Sequence, residues 1–483
     1  MSKKPAPQSG AKLERRLSPM NVWALAFGCI IGWGSFVNPG KKFLATSGTL
    51  GTAIAMAGGA LVMIIIAFSY SYMVPKYPKA GGEFTFTKIC FGKVPAFICG
   101  WFLVAAYLTN VPMNSTALGL IVKGIFGDFL QFGYLYTLAD NPIYVGEILF
   151  ACAILILFAV FCVCGVKVAG VIQTILAATL AICVFTLAIS ALLSSETSWE
   201  NLVPYFGFDK TTVEPKTDNQ SIISGVVATF AIAPWAFVGF DTIPQAAEEF
   251  NFPAKKVNFI MIIAILFGGF VYISNNLVTA SVYANYPEEI TRINAEGGWA
   301  LLESARILLG NFGVVLVGAG VLSAVLTGMM GFYMASSRLM YSMSKEGYLP
   351  KAFSKISPKF KTPYVALIFC LVVSLVGPFL GREALGWWLE MSNIGAAVGF
   401  GFTALATIVT LKKSNEKKPF TFVMAILGTI FSIIFIILML IPLPFLPGVN
   451  FVTPSYIMLI VWIVLGALFF AFKNKDIKAA EKE

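Results

Sequence analysis

Two carboxylates, Asp241 and Glu390, stand inside stretches of sequence that are otherwise almost wholly apolar. An acid in such surroundings must hold a proton, meet a cation or carry a large desolvation cost. Asp241, in IAPWAFVGFDTIPQAAEE, can act as a proton acceptor, as the partner of an amine or as a cap on the helix that follows it. Glu390, in GWWLEMSNIGAAVGF, lies close to Arg382 and Glu383 and reads either as a buried acid or as one reaching a helix end. Ser392 and Asn393 beside it can line a polar path or bridge helices. Tyr107, Asn110 and Asn114 fall at i, i+3 and i+7, one helical face, and such a stripe turns towards protein or water rather than lipid. Ser323 and Thr327 share a face by i, i+4 spacing, with back-bonding to their own helix as the simplest reading. Histidine is absent, which excludes imidazole relays, Ser-His triads and HExxH zinc sites. With no Walker motif and no metal-ligand cluster either, an enzyme is not expected.

The elements that position these residues must cross a membrane. Of the 483 residues, 58% are hydrophobic and only 12% charged, and the mean hydropathy is +0.82. Soluble chains carry about 25% charged residues, so this chain cannot cover a water-facing surface. A hydrocarbon core about 30 Å thick takes roughly 20 apolar residues per helix. On that measure twelve spans are predicted, at 19–47, 50–74, 94–122, 145–166, 168–194, 221–247, 257–283, 310–341, 363–381, 385–411, 419–441 and 451–472. Both tails and every second loop then carry 26 Lys+Arg against 9 Asp+Glu, and the other side 8 against 13. The basic side is predicted to be cytoplasmic, with both termini inside (1–18 and 473–483) at the cell membrane. The net charge of +10 therefore reports topology rather than a nucleic-acid partner. None of the eight cysteines falls in an outer loop, so no disulfide-linked partner subunit is expected.

Two spans are interrupted. The first contains GCIIGWGSFVNPG, with Gly28, Gly32, Gly34 and Pro39; the sixth has Pro234, Gly239 and Pro244. Glycines beside Ser35 and Asp241 at mid-depth point to local unwinding, although glycine in membrane helices also serves close packing. Interrupted spans at matched positions of two halves mark a transporter's binding site. The halves here are 19–194 and 221–411, five spans each, with 419–472 as two additions. Amides freed around Trp33 to Phe36, including Gly34 and Ser35, would face a carboxylate. Carbonyls freed around Ile30, Ile31, Phe237 and Val238 would accept from an ammonium, with Gly32 and Gly239 at the breaks as further substrate-binding candidates. That is a site shaped for an amino acid.

In this setting the sequence resembles the amino acid–polyamine–organocation (APC) superfamily of permeases. GCIIGWGSF is similar to the superfamily's glycine-rich first-helix motif, and YPKAGGEFTFTKICFG, from Tyr77 to Gly92, to its P-x-A-G-G loop. FVGFDTIPQAAEEFNFPAKK resembles the sixth-helix signature, and SRLMYSMSKEGYLPKAF, followed by Lys361-Thr362-Pro363, the stretch joining helices eight and nine. The resemblance implies an all-α integral membrane fold of twelve transmembrane helices, a LeuT-like five-plus-five inverted repeat with two additional helices. It also implies alternating-access transport of amino acids or related amines. An aromatic before the sixth-helix break, Phe237 or Trp235, would then close over substrate, or simply pack. Ser323 and Thr327 could hold Na⁺ with carbonyls of the broken first helix, as sodium-coupled members of the fold do.

Two departures stand out. Trp33 replaces the small residue usual between the first-helix glycines, and Ser35 the usual aliphatic. An indole there would shrink the pocket or offer a cation–π face worth about 0.5–2 kcal/mol, unless it packs on a neighbouring helix. Some proton-coupled relatives also carry a fifth-helix lysine, where Leu180 stands here. Proton coupling would then fall to Asp241, with Glu390 behind it, and exchange or another ion remains open. No cofactor is expected beyond a proton or Na⁺ as coupling ion. The partners are a small-molecule substrate and the lipid bilayer. An amino-acid-binding receptor without transport is the alternative, disfavoured by the short tails, and broken helices fit a channel poorly.

Overall fold

The structure, a computed structural model, describes residues 13–138 and 141–480, without side chains for 473–480. Lys3, Lys4 and Lys12 of the basic tail, and 481–483 at the other end, lie outside the described residues. Apart from one short hairpin and two isolated bridges, the regular secondary structure of the described residues is helical. The helices are α1 (Pro19–Ile30), α2 (Gly34–Asn38), α3 (Leu44–Lys76), α4 (Gly82–Phe91), α5 (Lys93–Phe126), α6 (Val145–Val163), α7 (Val166–Leu193), α8 (Asn219–Ala231) and α9 (Ala233–Phe237). They continue as α10 (Thr242–Gln245), α11 (Val257–Ser281), α12 (Tyr286–Ala295), α13 (Ala300–Lys345), α14 (Tyr364–Ser374), α15 (Ala384–Ser414), α16 (Pro419–Leu440) and α17 (Thr453–Ala480).

Ten helical stretches are long and apolar enough to cross a bilayer, and Pro19–Ile30 and Tyr364–Leu380 are shorter apolar helices. The two short ones fall where chain geometry interrupts a run. Residues 31–33 part α1 from α2, and Leu375 with the turn at Gly377–Leu380 ends α14 early. Between α2 and α3 a π-helical turn, Pro39–Phe43, carries the chain on, and Gly48 at φ +70 breaks the helical path just past it. Five features depart from the predicted boundaries. The predicted span at 310–341 begins ten residues early at Ala300, kinked at Gly310 (φ +60). The outer loops hold α12 and an antiparallel hairpin, Tyr134–Leu138 with Asn141–Tyr144. The P-x-A-G-G loop folds into α4, and α17 runs helically to Ala480, through most of the predicted tail at 473–483.

Packing follows the small residues. α5 lies between α13 and α15, and a Cβ on Gly399 would stand 2.5 Å from Leu103. α1 lies against α13, where a Cβ on Gly28 would stand 2.5 Å from Thr327 and one on Gly331 would collide with Cys29. Ile457, Ile460, Val464 and Leu468 of α17 are exposed, an apolar face suited to lipid. All eight cysteines are free thiols.

Candidate functional site

Ser18 caps α1 and Pro19 opens it, so the helix starts firmly. It stops at Ile30 because Ile31 turns to an extended conformation (φ −94, ψ 90) and Gly32 follows. The amides of Ser35 and Phe36 are recaptured by the carbonyls of Gly32 and Trp33, at 3.2 and 3.1 Å. The free amides are therefore those of Gly32, Trp33 and Gly34, which meet no acceptor among the described residues; Trp33 and Gly34 fall within the predicted stretch, and Gly32 replaces Ser35 and Phe36. Among the predicted free carbonyls, that of Ile31 accepts nothing, whereas Ile30 takes the Tyr272 hydroxyl at 3.4 Å.

The sixth span breaks twice, between α8 and α9 and between α9 and α10. The carbonyls of Phe237 and Val238 accept nothing among the described residues. Gly239, at φ +144, brings the two interrupted helices together: a Cβ there would lie 2.6 Å from the Ile30 nitrogen. A non-glycine residue would be strained and would also push the first helix away. The upper break is splinted from α15. Asn393 Oδ1 accepts the Trp235 amide at 2.8 Å, and its Nδ2 donates to the Ala231 carbonyl at 3.0 Å.

Asp241 is fully buried and does not cap α10. Its Oδ1 accepts the Gly239 amide behind it at 2.7 Å, and its Oδ2 accepts the Tyr107 hydroxyl at 2.8 Å. The stripe on α5 thus divides. Tyr107 meets Asp241, Asn110 donates to Ser392 Oγ at 2.6 Å, and Asn114 donates to the Asn110 carbonyl at 2.8 Å. Asn114 Oδ1 has no partner and lies 3.8 Å from where a Gly32 Cβ would be, so it faces the first-helix break. Trp33 is 7% exposed, and its indole Nε1 is likewise buried without a partner. Unpaired amides and an orphan acceptor thus lie at Gly32, an orphan donor belongs to the next residue, and unpaired carbonyls precede Gly239, which closes on Ile30. Buried polar atoms are rarely left so, and such a cluster invites a ligand.

The remaining candidates fall elsewhere. Trp235 lays its ring edge within 2.5 Å of a Cβ built on Gly34, at the mouth of the break. Phe237 packs on Gly59, Gly268 and Tyr272. Ser35 Oγ donates to the Gly32 carbonyl at 2.9 Å, holding the bend. Thr327 Oγ1 bonds back to the Ser323 carbonyl at 2.7 Å and reaches the Gly28 carbonyl at 3.2 Å. Glu390 accepts the Val452 amide at 3.1 Å, tying α15 to the start of α17 rather than to Asp241.

Several residues at the site carry no obvious sequence signal. Asn275 donates to the Ser35 carbonyl at 3.0 Å and Trp299 to the Phe36 carbonyl at 2.7 Å, so α11 and α13 fix the segment beyond the break. Glu83, counted by sequence among loop acids, is fully buried and 3.4 Å from the Tyr107 hydroxyl. Glu249, six residues before Lys255 in sequence, finds its partner far along the chain. It forms a two-point ion pair with Arg338 at 3.0 and 3.2 Å, at 0% and 1% exposure, while Glu248 accepts the Ala80 amide.

The "Amino acid permease" family model matches residues 17–469. The chain is 26% identical to the branched-chain amino acid permease BcaP of Bacillus subtilis, over 98% of this chain and 96% of that protein. It is 25% identical to the methylthioribose transporter of the same organism, over 97% and 96%. It is 23% identical to cationic amino acid transporter 4 of Mus musculus, over 86% of this chain and 63% of that one.

Proposed function

The chain belongs to the amino acid permease family, and from that premise we propose that it is a secondary-active transporter of an amino acid or a related small amine, working by alternating access. The observation that carries the reading is the pair of interrupted helices meeting at Gly239 and Ile30 with unsatisfied polar groups gathered around Gly32. Substrate carboxylate would take the amides of Gly32, Trp33 and Gly34. Substrate ammonium would take the carbonyls of Ile31, Phe237 and Val238 and the Asn114 Oδ1. Trp33 would fix the side-chain end of the pocket, its indole face against an apolar or cationic group.

On this reading the chain crosses the cell membrane twelve times, as a five-plus-five inverted repeat with α16 and α17 added and both termini cytoplasmic. The left-handed residue Gly48 supports that count, because it divides a run that otherwise reads as one long helix. Relatives named for branched-chain and for cationic amino acids support an amino acid; the methylthioribose relative keeps small metabolites of similar size in view.

Purified protein in liposomes should take up or exchange a labelled amino acid from a panel of amino acids and amines. A folded protein silent to the whole panel refutes the reading. Trp33→Ser removes most of the pocket wall nearest the break and should widen the range of side chains accepted, shifting relative uptake between small and large substrates by about tenfold, the worth of about 1.4 kcal/mol. Identical selectivity in wild type and variant, across the panel, would show that Trp33 only packs.

A further inference from the structure

We propose that Glu83 and Asp241 hold one proton between them, passed through the Tyr107 hydroxyl, and that this is the proton the transport cycle moves. The second half rests on the permease reading; the first stands on geometry alone. Glu83 reaches this place because the two glycines before it have left-handed backbones, Gly81 at φ +92 and Gly82 at φ +39. A side chain on Gly82 would press within 2.7 Å of Pro244 Cβ, and one on Gly81 would strike Ser342. The glycines let the loop press onto the last turn of the sixth span and slide Glu83 beneath Asp241.

Among the described residues every donor to Glu83 is neutral. Tyr70 donates to Oε1 at 2.9 Å, Tyr107 reaches Oε1 at 3.4 Å, and Gln245 Nε2 donates to Oε2 at 2.6 Å. Asp241 likewise takes neutral donors, the Gly239 amide and the Tyr107 hydroxyl. The other titratable groups facing the pair are the Cys99 thiol towards Glu83 and the Cys29 thiol towards Asp241. Two negative charges sharing one hydroxyl, both out of water and facing no cation among the described residues, repel strongly, and one proton relieves both the repulsion and the desolvation. Burial, reinforced by Asp241, pushes the Glu83 carboxyl well above the ordinary carboxylate range. This acid lies on α4, between the spans.

The transfer balances without charging the tyrosine. The Glu83 O–H bond breaks as its proton joins the Tyr107 oxygen, while the Tyr107 proton forms the new O–H bond on Asp241 Oδ2. Glu83 ends as the carboxylate and Asp241 as the acid. Asp241 is one hydrogen bond from Gly239, where the interrupted helices meet, so the proton's position is sensed at the substrate site. The arrangement supplies a titratable pair in a chain without histidine.

The test uses the purified full-length protein. Infrared difference spectra between pH 5 and 9 should show a protonated-carboxyl band in wild type that is lost in Glu83→Gln and displaced in Tyr107→Phe. Sign follows from linkage: a carboxyl whose folded value is raised contributes stability at low pH that is lost as pH rises through that value. Wild-type thermal stability should therefore fall across this range, and that of Glu83→Gln, which mimics the protonated acid, should fall less. In liposomes, a one-proton cycle under one unit of inward pH gradient concentrates substrate about tenfold. Glu83→Gln should keep exchange at equal pH and lose that tenfold drive. A wild type without the band overturns the shared proton, and a Glu83→Gln variant with the full pH-driven gain overturns its role in transport. Liposomes inert for every variant would count against the permease reading, and the infrared band would still decide the shared proton.

Discussion

Gly239→Ala should reduce transport at least about 100-fold, the equivalent of about 2.7 kcal/mol at the rate-limiting arrangement. Two costs combine at this residue. Its φ of +144 belongs to a region open in practice only to glycine, and a non-glycine residue held there carries about 1–3 kcal/mol of strain. The new methyl would also stand 2.6 Å from the Ile30 nitrogen, 2.7 Å from Cys29 Cβ and 2.9 Å from the Ala26 carbonyl, against backbone that cannot step aside cheaply. The two breaks would separate, and the unpaired groups around Gly32 would lose their common centre. Gly386→Ala is the matched control, because a Cβ there meets nothing within 4 Å. Uptake of labelled substrate and thermal unfolding should be measured on both. A Gly239→Ala variant that transports like the control would mean the contact between the breaks is dispensable.

Arg338→Met should destabilise the folded protein by about 3–5 kcal/mol, because it strands the Glu249 carboxylate in a fully buried setting. The guanidinium meets Glu249 at two points and also donates to the Met334 carbonyl and Ser337 Oγ, at 3.4 and 3.2 Å. Replacing both partners with apolar side chains leaves no uncompensated charge, so Arg338→Met with Glu249→Met should be more stable than Arg338→Met alone. Denaturation of detergent-solubilised protein, read for each variant, provides the comparison. If the double variant is the weaker, the pair stabilises the fold outright rather than by mutual neutralisation. The chain just before α1 docks at the same place, with Arg16 and Leu17 amides both 2.9 Å from the Glu249 carbonyl. Loss of the pair should therefore also loosen residues 13–17, visible as faster amide exchange there.

Hydropathy made the spanning helices legible because each is a long apolar run. The interrupted ones were legible because glycine and proline stood next to polar residues at mid-depth. Asp241 stood out for the same reason. Glu83 did not, since it follows Lys79 and two glycines in a segment that reads as an aqueous loop; only the left-handed turn at Gly81 and Gly82 folds it inwards. The partner of Glu249 was hidden for a different reason. Lys255 and Lys256 are near in sequence, whereas Arg338 is 89 residues away and is brought in by the packing of α13. Two of the three free amides of the first break, Trp33 and Gly34, lay in the predicted stretch, but Ser35 and Phe36 did not stay free, because sequence shows that unwinding occurs but not which carbonyls recapture which donors.

Asn393 carries a mechanical consequence. One amide accepts from Trp235 and donates to Ala231, so it holds both edges of the upper interruption to α15 at once. Aspartate would lose the donor and leucine would lose both bonds. With α8 and α9 stitched to α15, the two sides of the lower interruption answer to different neighbours, because Asp241 beyond it is held by Tyr107 of α5 and Gln245 by Glu83 of α4. The upper part is thereby coupled to α15, and the lower part, carrying Asp241, to α5 and α4.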